Sequence, residues 1–243
     1  MCIICDPKDK YGGCICHENF KTFFNDYDKI NSIDNSTSFE IIKKWTISTM
    51  TICCNFNSVI NLQLYRQFYI NEPEKKLFYN CINSYTGVKY QNKKRVSIKI
   101  FKNGNIQFAG VLNVKSAAYA ARKLFRRLHC ISAFSNMDTS HISGLRICMI
   151  NSDFKISKNI KQKSVCSYFD NSQDVLIQRY SYNPSKYPGI NLKIEDPESK
   201  SKLTVAIFRP GSIILTGGND IQLYFTTFKY LLEILENNND ILY

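Results

Sequence analysis

Residues able to do chemistry cluster first at the start of this 243-residue chain, in "CIICDPKDKYGGCICH". Cys2 and Cys5 have the CxxC spacing of a zinc knuckle, and Cys14, Cys16 and His17 follow a turn containing Gly12 and Gly13. Four of these five side chains would close a tetrahedral structural zinc site; the alternative is a tail of reduced thiols. Catalysis has less to work with. His17, His129 and His141 are the only histidines, and none neighbours a nucleophile motif. The expectation is a non-enzyme that requires no cofactor, with an N-terminal structural zinc as one of the two readings of these cysteines.

Binding is the second chemistry. The net charge is +12, and no Asp or Glu occurs between Lys75 and Met137. That stretch holds Lys75, Lys76, Lys89, Lys93, Lys94, Arg95, Lys99, Lys102, Lys115, Arg122, Lys123, Arg126 and Arg127. Such a block fits a polyanion partner, because each contacted phosphate releases counterions. A merely solvated, lysine-biased surface is the alternative. Hydrophobic residues make up 44% of the chain, which indicates a globular protein. No apolar run approaches the roughly 20 residues of a membrane span. The N-terminus lacks the layout of a signal peptide, so an intracellular protein is expected. Its ten cysteines would then be thiols or metal ligands, not a disulfide framework.

The elements that must position these groups are repeated. "IFKNGNIQFAGV", from Ile100, returns as "IFRPGSIILTGG", from Ile207, with Phe208, Gly211 and Gly217 each 107 positions after Phe101, Gly104 and Gly110. A strand precedes each copy ("TISTMTICCN", then "LRICMINSDFKI"), followed by a second ("KLFYNCINS", then "YPGINLKI"). A helix follows each hairpin. Ala117, Ala121, Leu124 and Leu128 form a stripe in the first; Ile221, Phe225, Phe228, Leu232 and Leu235 form one in the second. This order predicts an α+β protein of two half-domains: an extension over 1–44, a first repeat over 45–137 and a second over 138–243. Strand alternation turns Val96, Ile98, Ile100 and Leu203, Val205, Ile207 toward the helices. Phe101 and Phe208 fall on the opposite face. Gln107 and Ala109 share it in the first copy, as do Thr204, Ala206, Ile214 and Thr216 in the second.

At "YNPSKYPGINLKI…KLTVAIFRPGSIILTGG" the chain resembles the second half of the TATA-box-binding protein family. "STMTICC", "VSIKIFKNGNIQFAG" and "AARK" at Ala120 to Lys123 echo the first half, and the style is similar to divergent copies in large nucleocytoplasmic DNA viruses. The resemblance implies a saddle: one curved antiparallel sheet of two pseudo-symmetric halves with helices on the convex side. It implies a transcription initiation factor that binds the minor groove of A+T-rich promoter DNA and bends it with aromatic wedges. The family is itself the standard example of such kinking. By motif, Phe208 and Tyr187 would be one wedge, and Phe101 with Phe78 or Tyr79 the other. Groove and backbone contacts would come from Ile47, Thr49, Lys99, Gln107, Ala109, Met149, Lys193, Thr204, Ile214 and Thr216. A central Asn of each half falls on Trp45 and Ile147, or, with a shift, on Thr51 or Asn151. Where cellular members offer acids to initiation factor B, this chain has Asn183, Ser185 and Lys186. Implied partners are therefore double-stranded DNA with initiation factors and an RNA polymerase of viral encoding. The host cytoplasm or nucleus, with packaging in the virion, would be the location. The rival reading is an interaction scaffold of the same fold that has lost DNA binding.

Overall fold

The computed structural model describes residues 41–69, 79–88, 95–172 and 175–243, with the backbone alone for 41–44 and 239. They divide into two compact units. Among the described residues, unit 1 is Thr49–Cys148 and unit 2 is 41–48 with Met149–Tyr243. Strands β1 (Ile41–Asn55) and β5 (Ser143–Ile156) each lend residues to both.

Unit 1 contains β2 (Cys81–Gly87), β3 (Arg95–Phe101) and β4 (Asn105–Val111), hydrogen-bonded with β1 in the order β2-β3-β4-β1, and helices α1 (Leu62–Tyr69) and α2 (Val114–Cys130). Its pairings are antiparallel. Val96, Ile98, Ile100, Ile106 and Phe108 are fully buried on one sheet face, as are Ala117, Ala121, Leu124 and Leu128 of α2. Atoms fill about three quarters of the volume of a protein core, so a stripe beginning with alanines lets the helix lie near the strands. The Asn113 side chain accepts from the Ser116 amide at 2.9 Å, satisfying a first-turn donor of α2.

Unit 2 repeats the plan with β6 (Ile177–Asn183), β7 (Tyr187–Glu195), β8 (Lys202–Ile207) and β9 (Ser212–Gly217) in the antiparallel order β5-β9-β8-β7-β6. Helices α3 (Gln162–Asn171) and α4 (Ile221–Asn237) complete it. Leu203, Val205, Ile207, Ile213 and Leu215 are buried, and Asp220 caps α4 through the Gln222 and Leu223 amides. Of the expected α4 stripe, Ile221, Leu232 and Leu235 are buried, while its middle turn is rotated. Phe225 and Phe228 are only half-buried, while Tyr224, Thr227 and Leu231 are buried. Tyr224 sets this rotation: its hydroxyl lies 2.5 Å from the Ile150 carbonyl and 2.7 Å from that of Gly217. Burial of that hydroxyl pushes its pKa up, which keeps it a donor.

Both hairpins turn on glycines that no other residue replaces. Gly104 and Gly211 have φ of 86° and 81°, and a Cβ there would stand 2.6 Å from the carbonyl oxygens of Ser58 and Lys158. Helices α1 and α3 and strand β6 were not anticipated from the sequence: each is short, and α3 and β6 carry more polar than apolar positions.

Candidate nucleic-acid interface

The face of unit 2 away from α4 is laid out in two cross-strand rows. One row runs Asp153, Ile214, Ala206, Asn191 and Ser181; the next runs Asn151, Thr216, Thr204, Lys193 and Arg179. Ile214 is 37% exposed, an apolar side chain left facing outward among the described residues. In the second row Thr216 donates to the Asn151 amide oxygen at 2.5 Å, and the Lys193 ammonium donates to the Thr204 hydroxyl at 2.6 Å. Lys193 therefore folds down onto the strand floor instead of standing at its margin.

Past the end of these rows sits a ring pair. Tyr187 and Phe208 have centroids 5.7 Å apart and an interplanar angle of 63°. Tyr187 is 40% exposed, so the pair belongs to the surface more than to the core. Gly189 lies beneath: a Cβ at this position would come 2.9 Å from Tyr187 Cε1 and 3.0 Å from Phe208 Cε1. The rings converge because the residue between them has no side chain. Gln162, at the start of α3, donates to the carbonyls of Pro188 (2.7 Å) and Ile207 (3.2 Å) and accepts from the Tyr182 hydroxyl (2.9 Å).

Unit 1 presents a different face. Its rows are Cys53, Gln107, Lys99 and Asn83, then Ala109, Ser97 and Tyr85, with Thr51 at the register shift between Met50 and Ile52. The opposite of Phe101 is Cys81, where unit 2 sets Gly189 opposite Phe208's end of the ladder. Counting back from these partners, Tyr79 takes the place of Tyr187, and Phe78 lies outside the described residues. Tyr79 is 93% exposed, with the Lys102 ammonium 6.0 Å from its ring centroid. Burial first, then the neighbouring Cys148 thiol, pushes the Cys53 thiol up to about 12, so it is uncharged on this face near neutral pH.

Several expected positions move. Trp45 is core: it is buried, its Nε1 donates to the Ser152 hydroxyl at 3.2 Å, and its ring lies 6.1 Å from Phe228. Ile147 is buried as well. Burial in β5 changes phase, from Leu145 and Ile147 to Ile150, Ser152 and Phe154, and β1 does the same from Trp45 to Met50, Ile52 and Cys54. A single alternation drawn through either strand fails there. Asn151 and Thr51 are the residues in equivalent rows, and they stand 100 positions apart, not 107. That smaller offset was the signal available in the sequence. Ile47, Thr49 and Met149 are half-buried residues around the phase change. The basic block is also divided. Lys115, Arg122, Lys123, Arg126 and Arg127 ride on α2, across the sheet from Phe101, while Lys99 lies on the open face. Nothing in the sequence marked Gln162. The candidate zinc ligands Cys2, Cys5, Cys14, Cys16 and His17 lie outside the described residues. No helix among the described residues is long and apolar enough to cross a membrane.

Comparison with known proteins converges on one family. The family described as "Transcription factor TFIID (or TATA-binding protein, TBP)" matches residues 171–238. A TATA-box-binding protein-like protein of Acanthamoeba polyphaga mimivirus is 21% identical over 90% of this chain and 70% of its own length. TATA-box-binding protein-like 1 of Entamoeba histolytica is 25% identical over 82% of this chain and 84% of its own length. The solved structure of Methanococcus jannaschii TBP superposes with a TM-score of 0.59 at 16% identity, covering 80% of this chain and 99% of that one. Unit by unit, the α+β architecture is that of this fold, and these matches together support a divergent TATA-box-binding-protein-like protein.

Proposed function

We propose that this TBP-type transcription factor binds the minor groove of A+T-rich duplex DNA through its open sheet faces and bends it by inserting the Tyr187–Phe208 pair. The observation that carries the reading is the ring pair itself, held at the surface over a side-chain-free Gly189. An aromatic pair is worth about 0.5–1.5 kcal/mol beyond its burial. Two rings left this open gain little for the fold and have contact area to give a partner. Unstacking a base step costs a few kcal/mol, which inserted apolar side chains offset by opening a wider protein–DNA contact. Beside them, Ile214 and Ala206 supply a low, uncharged floor. Thr216, Thr204 and Asn151 supply the hydrogen-bonding groups suited to the A N3 and T O2 acceptors of A·T pairs. Shape and deformability then choose the sequence more than base hydrogen bonds do.

The mimivirus relative supports a virus-encoded polymerase and initiation factors as partners. Asn183, Ser185 and Lys186, exposed around the start of β7, replace the acids that the family offers a cellular factor. A protein-interaction scaffold is the second reading. It is favoured by unit 1, whose floor row carries Lys99, Gln107 and Asn83 in place of Ala206, Ile214 and Asn191. Mobility shift with A+T-rich and G·C-rich duplexes across a salt series separates the two. Preference for A+T-rich duplex, with bending seen by energy transfer between labelled ends, supports the proposal. Equal, unbent binding of both duplexes, or none, supports the scaffold.

A further inference from the structure

Gln162 lies outside the rows that would meet DNA, yet it touches the backbone on both sides of the ring pair. The last β7–β8 ladder pair before the rings is Ile190 with Ile207. Beyond it the two strands part, and the Pro188 and Ile207 carbonyls are bridged by the two N–H groups of one carboxamide. The amide oxygen is fixed in turn by the Tyr182 hydroxyl of β6. The two carbonyls settle which end of the carboxamide is which: they can only accept, so the nitrogen faces them and the oxygen takes the hydroxyl proton. Three strands and one helix thus meet at a single side chain.

Unit 1 closes the same place without it. There the Lys102 amide donates to the Asn80 carbonyl at 2.9 Å, a backbone bond across the strand ends, and Leu62 stands where unit 2 has Gln162. Asn80 precedes Cys81 as Pro188 precedes Gly189. Unit 2 therefore replaces a main-chain rung by a side-chain rung at the point where its rings converge.

We propose that Gln162 is a positioning residue for DNA bending: its carboxamide ties together the Pro188 and Ile207 carbonyls, each next in chain to a wedge residue, at the spacing that lets both rings enter one base step. This rests on the wedge reading above. A base step pried open tends to restack, and its force falls on the residues that carry the wedge. A rung tying both carriers together resists their separation, and a loose pair would lose the contacts that offset unstacking.

Gln162→Leu, which installs the unit 1 residue, and Tyr182→Phe, which frees the carboxamide oxygen, test this in the full chain. Each is measured beside a wedge-less Tyr187→Ala with Phe208→Ala protein, on straight A+T-rich duplex and on the same duplex pre-kinked by a mismatch. Expected is binding to straight duplex weaker by roughly tenfold for Gln162→Leu and roughly threefold for Tyr182→Phe, with a smaller bend. On pre-kinked duplex most of the loss should vanish, because the unstacking cost is already met. Loss of equal size on both duplexes would make Gln162 merely structural and overturn the inference. So would wild-type binding and bending by both variants while the wedge-less protein is impaired. If Gln162→Leu does not fold, Tyr182→Phe decides by the same two outcomes. A wedge-less protein that binds and bends normally would instead sink the proposed function itself.

Discussion

In unit 1 the Ile60 amide donates to the Lys102 carbonyl at 2.8 Å; in unit 2 the Ile160 amide donates to Arg209 at 2.7 Å. Asn61 donates to Ala133, and Lys161 to Ile241, both at 2.7 Å. Ser135 donates to Val59 at 2.9 Å, and Tyr243 to Asn159 at 3.0 Å. The two backbones are closed by the same bonds, and the side chains around them differ. Tyr243 lies beneath Lys161 and Arg209, with centroid distances of 5.4 and 5.6 Å. Its counterpart Ser135 borders a cleft of about 1060 Å³, shared with Arg66, Lys102 and Phe134. On the open faces, unit 2 sets a ring pair over Gly189, and unit 1 sets Cys81 opposite Phe101. Backbone hydrogen bonds must be satisfied in both copies, so they tie the plan down. An outward face carries no such obligation and is free to differ. The difference teaches that the duplicated backbone, not the outward side chains, is what the two units hold in common.

The largest expected effect probes what the units share. Gly104→Ala and Gly211→Ala would each force a Cβ to 2.6 Å from a carbonyl oxygen at positive φ. Each should destabilise by about 2 kcal/mol or more, and by similar amounts, since the strain is the same in both turns. Thermal or denaturant melts check it. A large loss in one copy alone would mean that the shared plan is not what holds both.

Exchange of the residue beneath the rings sharpens the contrast. Gly189→Ala should push Tyr187 and Phe208 apart at small cost to stability, because the clashing atoms are ring edges that can move. Its DNA bend should fall toward that of a protein without the pair. Cys81→Gly should do the reverse in unit 1, raising the bend at a stability cost of about 0.5–1 kcal/mol for a strand glycine. Energy transfer across a labelled duplex reads both. Unchanged bends would show that the gap beneath the rings does not govern insertion.

The smallest effect concerns the polar row. Asn151→Ala removes the acceptor of the Thr216 hydroxyl and a candidate groove contact. Affinity for A+T-rich duplex should drop by roughly fivefold, the scale of one lost hydrogen bond, with less change on G·C-rich duplex. Equal losses on both duplexes would remove Asn151 from sequence choice.

The hairpins, the two long helices and the outward phase of Phe101 and Phe208 were legible in the sequence, because a constant offset of 107 and strict alternation run through them. The first strands were not. Their offset is 100, and a phase change inside β1 and β5 carries Trp45 and Ile147 into the core. Strand β6 has too few apolar positions to announce itself, although its Tyr182 hydroxyl helps fix Gln162. Nor did the run of basic residues declare its geometry. A stretch of chain crosses from sheet to helix, so charge contiguous in sequence is split between Lys99 on one face and Arg122 to Arg127 on α2. Gln162 was illegible in principle, since its role depends on two carbonyls brought beside it by distant strands.

The central proposal is that one end of the bound DNA is pried open by the Tyr187–Phe208 pair of unit 2. A fluorescent adenine analogue, brighter when unstacked, can be placed at each step of an A+T-rich duplex in turn. The account predicts a strong rise at one end of the site, lost at that end in Phe208→Ala and kept there in Phe101→Ala. A rise at that end that survives Phe208→Ala, or no rise at any step, would contradict it.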